Sequence, residues 1–117
     1  MPVWTVRLTA AATADFENIL RWTVEHFGEA QARTYSETIS SALTDLTGGP
    51  TVIGVKRRGE ILRGICTLHV SRNHRKGRHF ILFRATQKRG GEVIEVLRIL
   101  HDAMEFVRHL PSADESP

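Results

Sequence analysis

Apolar and polar positions alternate at the start of the chain and then change to a helical spacing. The alternation between Trp4 and Leu8 predicts a short strand with one buried face. Thr9 is suited to cap a helix, and apolar residues then recur every three to four positions as far as Phe27. The pattern predicts a first helix that ends at Phe27, where Gly28 can adopt a left-handed conformation.

A second apolar stripe with helical spacing predicts a second helix. It comprises Ala32, Tyr35, Ile39, Ala42, Leu43 and Leu46. The stripe ends at Gly48-Gly49-Pro50, a sequence through which no helix continues. Because only a short turn separates the two helices, they are expected to form an antiparallel hairpin whose apolar faces need a flat surface to cover.

Three later segments have the β-branched and aromatic residues of strands. They are Ile61–Val70, His79–Ala85 and Glu92–Leu100. The separators are a long basic stretch over Ser71–Arg78 and a glycine-containing stretch over Gln87–Gly91, and both favour antiparallel connections. The continuous apolar run Phe80–Phe83 predicts a central strand that is covered on both faces.

These elements predict an α+β fold. An N-terminal strand and an antiparallel helical hairpin pack on a mainly antiparallel sheet of three to four strands, and a short C-terminal helix follows over His101–Leu110. Residues 1–110 are expected to form a single domain, since 117 residues suit one hydrophobic core. Residues 111–117 are small, acidic and rich in proline and serine, and we expect a disordered tail.

Composition narrows the class of protein. Hydrophobic residues make up 41% of the chain and charged residues 25%, values typical of a folded globular protein. The single cysteine, Cys66, cannot form an internal disulfide and lies among strand-forming residues, so a buried thiol is expected. No membrane span or signal sequence is recognisable, which leads us to expect a cytoplasmic protein with no membrane association.

Positive charge is concentrated in one segment. Lys56–Arg89 holds eleven basic residues against Glu60 alone, a net charge of +10, whereas the whole chain carries +3 and the remainder therefore −7. Such polarisation predicts an acidic partner, although a solvated basic hairpin would give the same composition. The sequence pI near 9.6 also suits a plain nucleic-acid-binding module, but no aromatic residues interleave with the basic ones between Arg72 and Arg78.

Several local motifs, together with the order of the elements, resemble the RelE/ParE toxin superfamily from Trp4 to about Leu110. The motifs are Leu8-Thr9 followed by alanines and Asp15, Phe27-Gly28, Ala30-Gln31-Ala32 with Tyr35, Leu62-Arg63, the segment His79 to Arg84, and the segment Val96 to Glu105. The basic stretch between Val70 and His79 departs from the family, because it is longer than the family's usual turn.

The superfamily has two functional branches, which are ParE toxins that inhibit DNA gyrase and ribosome-dependent mRNA endonucleases. The segment from Arg98 to Leu110 looks like the ParE branch. The resemblance therefore implies a toxin that binds gyrase without catalysis or cofactor and is neutralised in a hetero-oligomer by a ParD-like antitoxin, with DNA contacted only through the complex. A nuclease would use Arg63, Arg84 and His101, with Glu60 or Glu95 as a carboxylate. The nuclease branch often has a tyrosine or a histidine–tyrosine pair near the C-terminus, whereas the only tyrosine of this chain, Tyr35, belongs to the apolar stripe of a predicted helix. This difference argues against a nuclease.

The residues expected to bind the antitoxin or the target are Arg57, Arg58, Arg63, Arg84, Arg98, His101 and Trp22. Arg63, Arg84 and Arg98 form an anion-binding cluster if their strands pair, or they form salt bridges with Glu60, Glu92 or Glu95. His101 at a strand end is suited to capping as well as to binding. His69, His74 and His79 are regularly spaced but lack nearby acidic ligands, so no metal site is predicted.

Overall fold

The computed structural model describes residues 3–59, 62–88 and 91–103. Two helices pack on a five-stranded mixed sheet, which confirms the predicted α+β class. In chain order the elements are β1 (Thr5–Leu8), α1 (Ala10–Phe27), α2 (Glu29–Asp45), a 3₁₀ turn (Leu46–Gly48), β2 (Lys56–Arg57), β3 (Cys66–His69), β4 (His79–Lys88) and β5 (Gly91–His101).

The helical hairpin begins and turns where the sequence predicts. Thr9 caps α1, because its hydroxyl accepts the Ala12 N–H at 3.1 Å and donates to the Leu97 carbonyl at 2.9 Å. Gly28 separates the helices with φ 90° and ψ 170°. It has the positive φ expected of glycine, but its backbone is extended and not left-handed helical as predicted, which allows α2 to start at the next residue.

The sheet has the order β1-β5-β4-β3-β2. Strands β2 to β5 pair antiparallel, as predicted for the two connections, whereas β1 pairs in parallel with β5 at the other edge. The sheet has five strands where three to four were predicted, because Lys56–Arg57 adds a two-residue edge strand. A β-bulge interrupts the β4–β5 ladder, since Leu82 pairs with Arg98 and Phe83 with Val96, leaving Leu97 as the extra residue.

Both faces of the central strands are buried, as the apolar run in β4 predicts. Under the helices, Ile39 and Leu46 pack with strand residues that include Ile81 and Phe83. A smaller cluster on the opposite face comprises Ile65, Leu82, Leu97 and Leu100, with Leu62 packed against it. The fully buried side chain of Phe83 alone contributes roughly 2–3 kcal/mol of apolar burial.

The bounds of all three later strands differ from the sequence prediction. The strand predicted over Ile61–Val70 begins only at Cys66, because residues 62–65 form a turn closed by the Ile65 N–H bond to the Leu62 carbonyl. Strand β4 extends to Lys88, and β5 extends to His101. His101 therefore ends a strand, and Asp102 and Ala103 form a turn where a helix was predicted. The rest of the predicted C-terminal helix and the predicted tail lie outside the described residues. Neither α1 nor α2 is long and apolar enough to cross a lipid bilayer.

A histidine-lined cleft as the candidate functional site

A cleft of about 1070 Å³ opens between the helical hairpin and one end of the sheet. One wall is apolar and belongs to α1. The opposite wall is formed by the loop before β4 and the last residues of β5. Residues with contrasting chemistry line the two walls: Ile19, Trp22 and Phe27 on the apolar side, and Tyr35, His79 and His101 on the polar side.

The apolar wall carries an exposed aromatic group. Trp22 is 54% exposed and Phe27 is 65% exposed, although both are large hydrophobic residues. The Trp22 ring stacks on His26 with ring centroids 4.1 Å apart and meets Phe27 edge to face at 5.7 Å. Because these rings contact one another while Trp22 and Phe27 remain exposed to solvent, the group is suited to bury an apolar side chain of a partner.

Tyr35 connects the second helix to the polar wall. Its hydroxyl oxygen accepts the Arg78 N–H at 3.0 Å and shares a hydrogen with His79 Nδ1 at 2.6 Å. Burial raises the pKa of Tyr35 although the Arg78 N–H opposes the shift. Burial, reinforced by His101, lowers the pKa of His79 to about 4, so His79 is neutral at physiological pH.

Asp102, directly after β5, accepts hydrogen bonds from basic side chains of two other segments at the edge of the cleft. It accepts hydrogen bonds from Arg78 at 3.2 Å and from His69 Nε2 at 3.1 Å. These bonds from Arg78 and His69 lower the pKa of Asp102 to about 2. Asp102 is therefore ionised at neutral pH and holds the β3 end, the β5 end and the basic loop together.

A second ion pair stands inside the cleft. Arg98 donates two hydrogen bonds to Asp15 of α1, at 2.7 and 2.8 Å, and the Ile99 N–H adds a third at 2.9 Å. The hydrogen bonds from Arg98 to Asp15 raise the pKa of the guanidinium. Arg98 thus lines the cleft with its charge already compensated.

The predicted binding residues lie in several places. Trp22, Arg98 and His101 line the main cleft. Arg57 and Arg63 line a second cleft of about 470 Å³ near Cys66, whose thiol pKa is raised by burial. Arg58 lies near that cleft and donates to the Thr67 hydroxyl at 3.0 Å.

The predicted cluster of Arg63, Arg84 and Arg98 is not formed as one site, because Arg63 lines the second cleft and the other two arginines pair with different carboxylates. Arg84 pairs with Glu95 at 2.7 Å, which was one of the carboxylates considered for it. Arg98 pairs instead with Asp15, which sequence analysis did not consider. Glu60 lies outside the described residues. No three histidine, cysteine or acidic side chains in the described ranges are placed to hold a metal ion.

Tyr35, Asp15 and Asp102 belong to the site, although the sequence did not indicate them as its members. Tyr35 does lie in the stripe of α2, but its hydroxyl reaches His79, which is 44 positions away in the chain. A tyrosine in a helix stripe gives no signal that its polar end leaves the core. The acidic side chains outside the basic segment were the available signal for Asp15 and Asp102, since arginine commonly forms hydrogen-bonded pairs with carboxylates.

The fold matches solved toxin structures. A chromosomal ParDE toxin–antitoxin system from P. aeruginosa matches with a TM-score of 0.67 at 23% identity, over 86% of this chain and 98% of the other. The RelBE2 toxin–antitoxin complex from Mycobacterium tuberculosis matches with a TM-score of 0.55 at 21% identity, over 85% and 98% of the two chains. A YoeB/ParE toxin from Agrobacterium tumefaciens matches with a TM-score of 0.57 at 13% identity, over 83% and 96%.

No functionally curated protein sequence matches this chain. The family model described as the ParE toxin of the type II toxin–antitoxin system parDE matches residues 6–106, which span both helices and all five strands. Together with the fold and the sequence motifs, this match shows that the chain belongs to the ParE family of type II toxins.

Proposed function

We propose that this chain is a single-domain cytoplasmic toxin that inhibits DNA gyrase by binding to it, without a cofactor, and that a ParD-like antitoxin neutralises it. The observation that carries the proposal is the cleft beside α1, whose apolar wall exposes Trp22 and Phe27. An exposed aromatic surface of this kind is costly in an isolated protein and is typical of a partner-binding surface.

An unpaired positive charge in the main cleft supports an acidic partner for the same surface. Lys76 lines the cleft in the loop before β4, on the wall opposite Trp22 and Phe27, and has no acidic partner among the described residues. An acidic amphipathic segment would place apolar side chains against Trp22 and Phe27 and carboxylates near Lys76, and it would fold as it binds. We therefore assign Trp22, Arg98 and His101 to the antitoxin-binding surface.

The second cleft supplies a positive surface for the target, and its charge also attracts an acidic antitoxin as the two proteins approach. Arg57 and Arg63 line it, and neither forms an ion pair within the part of the chain that the structure describes. Arg58 and Arg84 extend the positive surface, although Arg84 already has Glu95 as a partner. Unpaired guanidinium groups at an exposed sheet edge are suited to bind carboxylates of gyrase or phosphates of the DNA that gyrase holds.

A gyrase supercoiling assay tests this function. Purified toxin is added to gyrase and relaxed plasmid, with the preformed toxin–antitoxin complex as the matched control, and both supercoiling and cleaved DNA are scored. We expect inhibition by the free toxin and relief by the antitoxin. Normal supercoiling at high toxin excess, together with ribosome-dependent mRNA cleavage that is lost in Arg63, Arg84 or His101 variants, would replace this proposal with a RelE-type nuclease. Strong binding to duplex DNA at physiological salt that the antitoxin does not affect would replace it with a nucleic-acid-binding module.

A further inference from the structure

The histidines around the cleft have their protons fixed by neighbouring groups. The Ser71 N–H donates to His69 Nδ1 at 2.9 Å, while His69 Nε2 lies 3.1 Å from Asp102 Oδ2. A ring nitrogen that accepts an N–H carries no proton of its own. The proton of neutral His69 is therefore on Nε2 and is donated to Asp102.

The same reasoning applies to His101 and His79. The Ala103 N–H donates to His101 Nδ1 at 3.1 Å, which places the His101 proton on Nε2. The Tyr35 oxygen already accepts the Arg78 N–H, so its single hydrogen is available for His79 Nδ1. With that hydrogen donated to His79 Nδ1, His79 carries its proton on Nε2.

Two N–H donors therefore remain without an acceptor at the polar wall. The rings of His79 and His101 meet edge to face with centroids 5.3 Å apart, and both residues line the cleft. Neither Nε2 has a hydrogen-bond partner among the described residues. With both Nδ1 atoms accepting hydrogen bonds, each of these two cleft-lining imidazoles presents an Nε2–H donor and no free basic nitrogen. Such a pair suits the binding of an anion better than proton abstraction.

The charges nearby indicate which anion. Arg78 and Arg98 line the cleft but are held by Asp102 and Asp15. Of the basic side chains that line it, only Lys76 lacks an acidic partner in the described part of the chain. Nucleic acids bind through several cations that follow the phosphate backbone. One cation and two neutral donors beside an apolar wall instead match one carboxylate on an otherwise apolar segment.

We propose that His79 and His101 form a carboxylate-binding site, in which one aspartate or glutamate of the antitoxin binds while a neighbouring apolar side chain packs against Trp22 and Phe27. This inference rests on the proposed neutralisation by an antitoxin and specifies the contact that makes it selective. It also explains why the Tyr35 hydroxyl is directed at His79, since that bond keeps the Nε2 proton available to the ligand.

Affinity measurements on paired variants test the site. Toxin variants are titrated calorimetrically with the ParD-like antitoxin. His101→Phe removes the donor, and we expect affinity to fall roughly tenfold or more, because a hydrogen bond to a charged group is lost. His101→Gln retains an N–H donor at a similar position and should recover most of that loss. His74→Asn, at an exposed histidine outside the cleft, is the control and should bind normally.

The partner side gives a test that does not depend on the folding of a toxin variant. Each aspartate and glutamate in the C-terminal part of the antitoxin is changed to its amide, and binding is measured with the wild-type toxin and with His101→Phe. We expect one amide variant to bind the wild-type toxin roughly tenfold more weakly and to bind His101→Phe with no further loss.

The carboxylate site would be overturned if every amide change altered the affinity for the wild-type toxin and for His101→Phe equally. Antitoxin binding itself would still support the proposed function. Displacement of the antitoxin by a short single-stranded oligonucleotide, dependent on His101, would likewise overturn the assignment to a carboxylate. Absence of binding between the wild-type toxin and its antitoxin would overturn the proposed neutralisation and, with it, this inference.

Discussion

Asp15 of α1 and Arg98 of β5 are 83 positions apart in sequence and form an ion pair with two hydrogen bonds, of 2.7 and 2.8 Å. The Ile99 N–H completes the set by donating to the same carboxylate at 2.9 Å. Arg98 directly follows the bulge residue Leu97, where the β4–β5 ladder is interrupted. The pair thus links the helical hairpin to the sheet at the point where regular strand pairing is weakest.

Removing the carboxylate should destabilise the protein. Asp15→Ala leaves the Arg98 guanidinium and the Ile99 N–H without an acceptor in a partly buried position, because the side chains are only 27% and 14% exposed for Arg98 and Asp15. We expect the free energy of unfolding to fall by roughly 2–3 kcal/mol, measured by urea denaturation. The control is Glu95→Ala, which breaks the more exposed pair with Arg84 and should cost less than about 1 kcal/mol. Equal losses in the two variants would contradict a structural role for the Asp15 pair.

A methyl group at Gly77 should disrupt the tyrosine–histidine contact. A Cβ there would lie 2.5 Å from Val70 Cγ2 and 2.9 Å from the Tyr35 oxygen, so the loop before β4 must move. We expect Gly77→Ala to cost roughly 1–3 kcal/mol and to change the NMR signals of the His79 ring. In Gly59→Ala the added Cβ meets nothing within 4 Å, and this control should leave the His79 signals unchanged. Unchanged His79 signals in Gly77→Ala would contradict the predicted contact.

Stability should depend on pH through His79. The pKa of His79 is lowered from 6.5 to about 4 in the folded chain, mainly by burial. Between these values the unfolded chain binds a proton that the folded chain does not, so the free energy of unfolding decreases as pH falls from about 6.5 to about 4. We expect this slope in urea denaturation at a series of pH values. His79→Gln should remove part of it, and an identical slope in that variant would exclude His79 as the cause.

Protonation of Asp102 should extend the decrease in the free energy of unfolding to lower pH. Its pKa is lowered from 3.8 to about 2 by hydrogen bonds from Arg78 and His69. A carboxyl group with a lowered folded-state pKa stabilises the protein above its unfolded value and loses that contribution as pH falls through the folded value. Stability should therefore decrease further between about pH 3.8 and 2. Asp102→Asn should be less stable than the wild type at neutral pH and should approach it near pH 2, and a constant difference at all pH values would contradict this assignment.

The local parts of the fold were predictable because their causes are local. The period of apolar residues, the Thr9 cap and the glycine after Phe27 determine the helical hairpin within a few neighbouring residues. The parallel pairing of β1 with β5 was not predicted, since Thr5 and Val93 are brought together only by the completed sheet. The two-residue strand β2 was missed because Lys56-Arg57 has no apolar pattern and exists only as a partner of β3.

Some residues of the candidate site could be predicted from the sequence, but the contacts between them could not. The excess of basic residues in the second half and Trp22 as a candidate contact could be identified from the sequence, whereas the 54% exposure of Trp22 is known only from the structure. The carboxylate partner of each arginine could not be identified from the sequence, because Arg98 binds a carboxylate 83 positions away and Arg78 binds Asp102, 24 positions away. Which positive charges remain available to a partner is therefore a property of the tertiary structure.

Among the available charges, Arg57 gives the sharpest test of electrostatic attraction to the antitoxin. Arg57 is exposed on the edge strand β2, whereas its neighbour Arg58 donates to Thr67 and lies over the Phe80 ring, so only Arg57 can be reversed without disturbing a described contact. Arg57→Glu should weaken antitoxin binding roughly tenfold at low salt, mainly through a slower association rate. The loss should shrink as salt rises, because screening reduces attraction between exposed charges. Arg7→Glu makes the same change of net charge on β1, at the opposite edge of the sheet, and should have a smaller effect. If both reversals change affinity and its salt dependence equally, the attraction reflects net charge alone and Arg57 has no local role.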